Sequence, residues 1–255
     1  MRADSQFHNG AAALLQSSFF IIFTLFMGLY EKTRYLLMGD RGLLLEFGNE
    51  ISHEVNKKVR RMALAIQAEA IEGIIETIPT YRSLLVIYHP LTHPLKQLKK
   101  RLQKIEKNLQ GIPLPEPKLT RIPAVYGGVY GPDLEFVGEY HKISPDEVIR
   151  LHTSKPYFIY MIGFMPGYPY MGELPDRLVM PRLKTPRLSV PKGSVAIAQK
   201  QTGIYSMESP GGWQIIGRTP IELFDPDREP PSLLQMGDLV QFDPISEKEF
   251  EEWKR

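Results

Sequence analysis

Between Gly163 and Arg218 the chain sets glycine and proline among arginine, glutamine and aromatic residues, and that mixture restricts what the segment can build. It reads Gly163-Phe164-Met165-Pro166-Gly167-Tyr168-Pro169-Tyr170-Met171-Gly172, then Pro181-Arg182 and Thr185-Pro186-Arg187, then Gln201-Thr202-Gly203-Ile204-Tyr205, and last Ser209-Pro210-Gly211-Gly212-Trp213-Gln214-Ile215-Ile216-Gly217-Arg218. Glycine permits tight turns and close approach of backbone to a ligand, proline stiffens those turns, and the side chains between them can hydrogen-bond or stack. Such a segment suits a preformed site. A loop-rich β fold whose turns need glycine and proline has the same composition, and composition alone favours that reading.

The 255 residues, 43% hydrophobic and 24% charged, can bury a sizeable core in one large or two modest domains, and the pattern below favours two. A net charge of +2 gives no global field that argues for nucleic acid. The absence of cysteine excludes disulfides and thiolate chemistry and fits a reducing cytoplasm. Any metal site would have to use histidine and carboxylate.

Residues 1–32 form an apolar extension containing Phe19-Phe20-Ile21-Ile22-Phe23-Thr24-Leu25-Phe26-Met27. The run is short for a bilayer helix, which needs roughly 20 apolar residues, and it lacks the cationic start and small-residue cleavage site of a signal peptide. The preferred reading takes Met27 as the true start, with a membrane anchor or export signal as alternatives.

Residues 33–112 read as a small α/β domain. Tyr35–Met38 and Leu43–Phe47 flank a turn at Gly39-Asp40-Arg41-Gly42. Ser52 caps a helix whose apolar positions Val55, Val59, Met62, Ala63, Ile66 and Ala70 recur at helical spacing. Pro79 interrupts the next segment, and Leu84–Tyr88 reads as a buried strand. After Pro94 a second helix places Leu95, Leu98, Leu102, Ile105 and Leu109 on one face and Lys96, Lys99, Lys100, Arg101, Lys104 and Lys107 largely on the other, with Gly111 able to end it. The basic face can dock acidic partners or phosphates, but a solvated outer face is the preferred reading, because the apolar stripe is complete and no aromatic residues interleave the lysines.

Pro113, Pro115 and Pro117 make residues 113–118 an extended linker. Residues 119–245 hold many short strand candidates: Arg121–Tyr126, Val195–Ala198, Trp213–Ile216, Ile221–Phe224 and Leu239–Phe242. Ser144-Pro145-Asp146-Glu147 opens a helix with cap, first-turn proline and capping-box acid. Residues 246–255 are a charged tail.

Several chemistries lack their residues. Lys192-Gly193-Ser194 has no upstream glycine at P-loop spacing, and no Gly-x-Ser-x-Gly elbow exists. His89 and His93 have metal-pair spacing, but Pro90 argues against the helix that would align them. His141 and His152 are candidates for a pocket base or for satisfied polar side chains. Arg182, Arg187 and Arg218 stand out because a guanidinium grips a carboxylate or phosphate with two parallel bonds. Gln201 and Thr202 can add neutral donors, while Tyr170, Tyr205 and Trp213 can wall the site. Each arginine can equally serve an ion pair, and Phe164 and Trp213 can be core. No nucleophile and base pair is evident.

The Gly163-Phe164-x-Pro166-Gly167, Gln201–Tyr205 and Ser209–Pro220 motifs, in this order, resemble the allophanate hydrolase subunit 1 family. The likeness runs from about Tyr35 to Ile245. It implies an α+β chain, with a cyclophilin-like β-barrel domain following the small N-terminal α/β domain. It also implies the B-type member of an ATP-dependent 5-oxoprolinase, inactive by itself, that works with a paralogous C-type partner and an A-type partner to open 5-oxo-L-proline to L-glutamate. ATP is used by that complex, with no site assigned on this chain. The ligand pocket implied takes in Phe164, Pro166, Gly167, Tyr170, Arg182, Arg187, Gln201, Thr202, Gly203, Tyr205, Pro210, Gly211, Gly212, Trp213 and Arg218. In it Arg187 and Arg218 hold carboxylate or phosphate, and Gln201 and Thr202 orient the amide. Alternatives within the family are a regulator that inhibits a sensor histidine kinase, and a urea carboxylase or allophanate pathway component. Prolyl isomerase activity would be fold analogy alone.

The family likeness begins only after Met27. Intact mass spectrometry of the protein made from its own gene is expected to show a product starting at Met27; a product retaining residues 1–26 contradicts that reading.

Overall fold

The computed structural model describes residues 28–253, so the expectation for residues 1–26 lies outside the described residues. The chain divides between Pro115 and Glu116 into two compact units.

The first unit has four strands, β1 (Leu29–Met38), β2 (Gly42–Gly48), β3 (Ile74–Pro79) and β4 (Ser83–Tyr88), in one antiparallel sheet of order β1-β2-β4-β3. Alternation on β2 and β4 buries Leu43, Leu45, Phe47, Leu84, Val86 and Tyr88. Helix α1 (His53–Glu69) packs against β2, β3 and β4, burying Val55, Val59, Met62 and Ile66. Its start follows from sequence, since the Ser52 hydroxyl accepts the Val55 N–H at 3.3 Å. Helix α2 (Leu95–Glu106) packs on α1 and buries Leu98, Leu102 and Ile105. It ends before Gly111, where a short 3₁₀ turn (Leu109–Gly111) folds Leu109 into the core instead.

The second unit is built on β5 (Leu119–Tyr126), β6 (Tyr157–Ile162), β7 (Pro169–Gly172), β9 (Ser194–Ala198), β10 (Gln201–Ile204), β12 (Gln214–Arg218) and β13 (Leu239–Pro244). These seven strands close into a barrel in the order β10-β7-β6-β13-β5-β12-β9. Only the β5–β13 pair is parallel. The interior holds Ile122, Ile159, Met171, Val195, Ile197, Ile204, Ile216 and Phe242. Helices α3 (Leu134–His141) and α4 (Pro145–His152) add Leu134, Val137 and Val148 to the same core. A separate ribbon pairs β8 (Arg187–Val190) with β11 (Ser209–Gly211), and α5 (Glu247–Trp253) follows the barrel. The α+β class and the barrel agree with the sequence expectation.

Two local expectations change. Ile221–Phe224 forms no strand: Arg228 clasps a loop there, its Nη2 donating to the Leu223 carbonyl at 3.1 Å and to the Pro231 carbonyl at 2.9 Å. Ser144 caps α4 as its sequence suggests, accepting the Glu147 N–H at 3.2 Å. The Glu147 carboxylate, however, takes Arg150 at 2.6 Å and Arg177 at 2.9 Å. Those bonds, Arg150 first, hold its carboxyl down at about 2.

His152 settles inside the barrel core, fully buried. Its Nδ1 meets the Tyr126 hydroxyl and its Nε2 the Thr202 hydroxyl, each at 2.9 Å, and its ring lies 4.6 Å from that of Phe242. Burial pushes its pKa down to about 3, so the native ring stays neutral. An unfolded chain protonates this histidine below about pH 6.5, so the unfolded state binds the extra proton throughout the window down to about 3. Stability therefore falls as pH drops through that window, by up to about 1.4 kcal/mol per pH unit from this group. Urea denaturation from pH 7 to 4 is expected to show a shallower decline for His152→Gln than for the wild type; equal slopes contradict a buried neutral imidazole.

Candidate functional site

Strand alternation gives β9, β10 and β12 two buried faces. Val195 and Ile197 point into the barrel, while Ala196 and Ala198 join Met165, Tyr168, Val190, Tyr205, Trp213 and Ile215 in a second apolar cluster. The alanines keep the floor of this cluster low, so large rings lie across it. Tyr168 meets Tyr205 and Trp213 edge-on at 5.3 and 6.0 Å, and Tyr170 meets Trp213 at 5.9 Å. Two glycines are required for this packing. A Cβ on Gly203 would stand 2.5 Å from the Tyr168 hydroxyl, and one on Gly211 would stand 2.2 Å from the Tyr205 hydroxyl.

At the exposed edge of the cluster Arg182 holds its guanidinium 5.8 Å from the centre of the Trp213 ring. No carboxylate among the described residues pairs with it. Burial raises the Tyr170 pKa against the lowering effect of Arg182. The Tyr205 pKa is raised by burial too, although the Trp213 backbone and both Arg182 and Arg187 pull the other way. Both phenols therefore stay protonated near neutrality and can donate. The turn at Phe164-Met165-Pro166-Gly167 borders the cluster. Phe164 is 66% exposed at a φ of +70°, with its ring 5.9 Å from Tyr168. A bulky side chain in that backbone region carries local strain, a feature that concentrates at ligand sites. The Pro166 carbonyl accepts the Ser206 hydroxyl at 2.5 Å and ties this turn to the end of β10.

The structure sorts the arginines. Arg182 is presented. Arg187 is committed, because its Nη2 reaches Asp133 Oδ1 at 2.6 Å and its Nη1 reaches the Trp213 carbonyl at 3.4 Å. Arg218 sits at the opposite end of β12 from Gln214, about 13 Å along a strand of this rise, and its Nε donates to the Lys192 carbonyl at 2.8 Å. It is not brought to the Trp213 cluster. Thr202 also turns away: its hydroxyl bonds His152 and the Ala196 carbonyl inside the barrel. Gln201 and Gly203 alternate onto the other side of β10, and Tyr205 follows directly after its end. Pro210, Gly211 and Gly212 form β11 and its approach to Trp213, and Gly212 passes its carbonyl to the Leu183 N–H at 2.7 Å.

Asp133 was silent in the sequence. Besides Arg187 it accepts the Ile215 N–H at 2.6 Å through Oδ2, so one carboxylate fastens both the ribbon and β12. Its only sequence signal is its place after Gly131-Pro132, before a helix. The histidine pair gains no third ligand: no group of three His, Asp or Glu able to hold a metal occurs among the described residues. No helix among them is long and apolar enough to cross a membrane.

These roles separate by mutation. Asp133→Ala leaves Arg187 unpaired at a part-buried position and is expected to cost about 3 kcal/mol in urea denaturation. Arg182→Ala, at an exposed position, is expected to cost less than about 1 kcal/mol. Equal costs would contradict the division between a structural and a presented guanidinium.

Residues 33–234 match the model of the carboxyltransferase domain, subdomain C and D. The chain is 40% identical to the B subunit of 5-oxoprolinase from Bacillus subtilis (strain 168), over 85% of this chain and 95% of that protein. Among solved structures it resembles a conserved uncharacterized protein from Pyrococcus horikoshii, 46% identical with a TM-score of 0.51, covering 85% of this chain and all of that one. The urea amidolyase of K. lactis shares the fold, with a TM-score of 0.72 at 22% identity over 89% of this chain and 15% of that one. The chain belongs to the family of the carboxyltransferase domain, subdomain C and D.

Proposed function

We propose that this chain is the B subunit of an ATP-dependent 5-oxoprolinase, opening 5-oxo-L-proline to L-glutamate in the cytoplasm together with the A and C subunits, and inactive by itself. The observation that carries the reading is the 40% identity over 95% of the length of the Bacillus subtilis B subunit. The substrate is a flat five-membered lactam with a carboxylate. The Trp213 cluster offers complementary groups: Arg182 for the carboxylate, the Tyr170 and Trp213 rings for the lactam face, and phenolic donors for its oxygen. Arg187 contributes by fixing the backbone of Trp213, and Gln201 flanks the same face from β10.

An unactivated amide needs its oxygen phosphorylated, charge stabilisation and a water before it opens. ATP is used by the complex, and no site for it is assigned on the described residues. They hold neither a phosphate-cradling glycine loop with its lysine nor an acid cluster for the accompanying cation. In this reading the chain binds and orients the lactam within the three-subunit complex.

Co-expression of the three subunits with an assay of glutamate formation tests the reading. Omission of this chain is expected to abolish activity, and Arg182→Ala to reduce it about 10²-fold or more. Unchanged glutamate formation without this chain would reject the proposal.

A further inference from the structure

The first unit carries a surface that lactam opening leaves unexplained. A groove of about 1280 Å³ runs between α2 and the start of β1, with Lys58 of α1 in its floor. Its cations are Lys32, Lys58, Lys100, Arg101, Lys104 and Lys107. Three acids share the lining, but two are already spent: Glu106 takes Lys58 at 2.7 Å and Glu69 takes Arg101 at 3.2 Å. That leaves Glu31 against Lys32, Lys100, Lys104 and Lys107, none of which pairs with a carboxylate among the described residues.

The floor is rigid. Glu106 also accepts the Thr33 hydroxyl and, at 2.8 Å, the Tyr35 hydroxyl, which links α2 to β1. Burial alone would raise the Glu106 pKa, but the bonds from Lys58, Thr33 and Tyr35 outweigh it and keep the carboxylate charged. The lysines above this floor are ordered along an axis. Lys100, Lys104 and Lys107 follow the i, i+4, i+7 spacing of one helical stripe, which spans about 10 Å at 1.5 Å per residue. Charges strung along a line match a line of opposite charges, and a helix with glutamate or aspartate at the same spacing supplies one. A nucleic acid fits less well, because the lining has no aromatic ring for a base to stack on.

We infer that this groove docks an acidic helix of a partner protein, with Lys100, Lys104 and Lys107 reading its carboxylate stripe. The inference stands apart from the lactam site, and its test does not depend on catalysis. Three fluorescently labelled probes would be titrated against the full chain at low and at physiological salt. One is a 15-residue alanine-rich peptide with glutamates on a single i, i+4, i+7, i+11 stripe. The second has the same composition with its glutamates dispersed around the helix, and the third is a 15-nucleotide oligo-dT. The striped peptide is expected to bind best and to weaken with salt. It should lose affinity about tenfold or more in a Lys100→Glu/Lys104→Glu/Lys107→Glu variant but not in Lys248→Ala. Amide NMR shifts should concentrate in β1 and α2. No binding, equal binding of the two peptides, indifference to the charge reversal, or tighter binding of the oligonucleotide would each overturn the inference.

Discussion

Successive side chains of a β-strand point to opposite faces, and in this barrel that rule is used twice on the same strands. The inward residues of β9, β10 and β12 fill the barrel, and their outward residues build the floor of an aromatic cluster beneath the β8–β11 ribbon. A shift of one residue in register would exchange the two sets. Thr202 would leave His152, and the alanines would leave the rings that need their small size. The site thus inherits its geometry from the core, which holds both faces in one register.

The ribbon and the barrel are joined by Asp133. Its two oxygens are divided between a side-chain cation and a backbone N–H, so the charge is largely buried yet fully used. That arrangement takes Arg187 out of competition for ligand and leaves Arg182 as the cation beside the rings. Two nearby guanidinium groups with similar sequence surroundings thereby acquire different work. A stabilised ion pair positions the indole, and a presented charge stacked on that indole remains open to a carboxylate.

Much of the fold was legible. Helical spacing from Val55 to Ile66, the Ser52 and Ser144 caps and the turn at Gly39–Gly42 each carry a local physical cause, and the structure repeats them. Strand β3 was hidden by Pro79, which ends an edge strand where the missing N–H costs least. The failed strand at Ile221–Phe224 was decided by Arg228, a residue outside its own window. The site was legible as composition but less so as geometry. The motifs brought Arg182, Tyr170, Tyr205 and Trp213 into one neighbourhood, whereas Arg218 and Thr202 separate from it because strand length and strand alternation place them elsewhere. Asp133 could not be found by motif, since its importance lies entirely in what it meets across the fold.

The Trp213 ring and the Arg182 guanidinium are proposed to form one binding surface for a small carboxylate. Only two tryptophans occur in the chain, Trp213 and the exposed Trp253. 5-Fluorotryptophan can therefore be placed in this chain alone and the ¹⁹F spectrum recorded in the assembled complex with unlabelled partners. Addition of 5-oxoproline is predicted to move the Trp213 resonance saturably, to leave Trp253 in place, and to have no effect in Arg182→Ala. A Trp213 resonance that stays fixed, or that moves equally without Arg182, would rule out that shared surface.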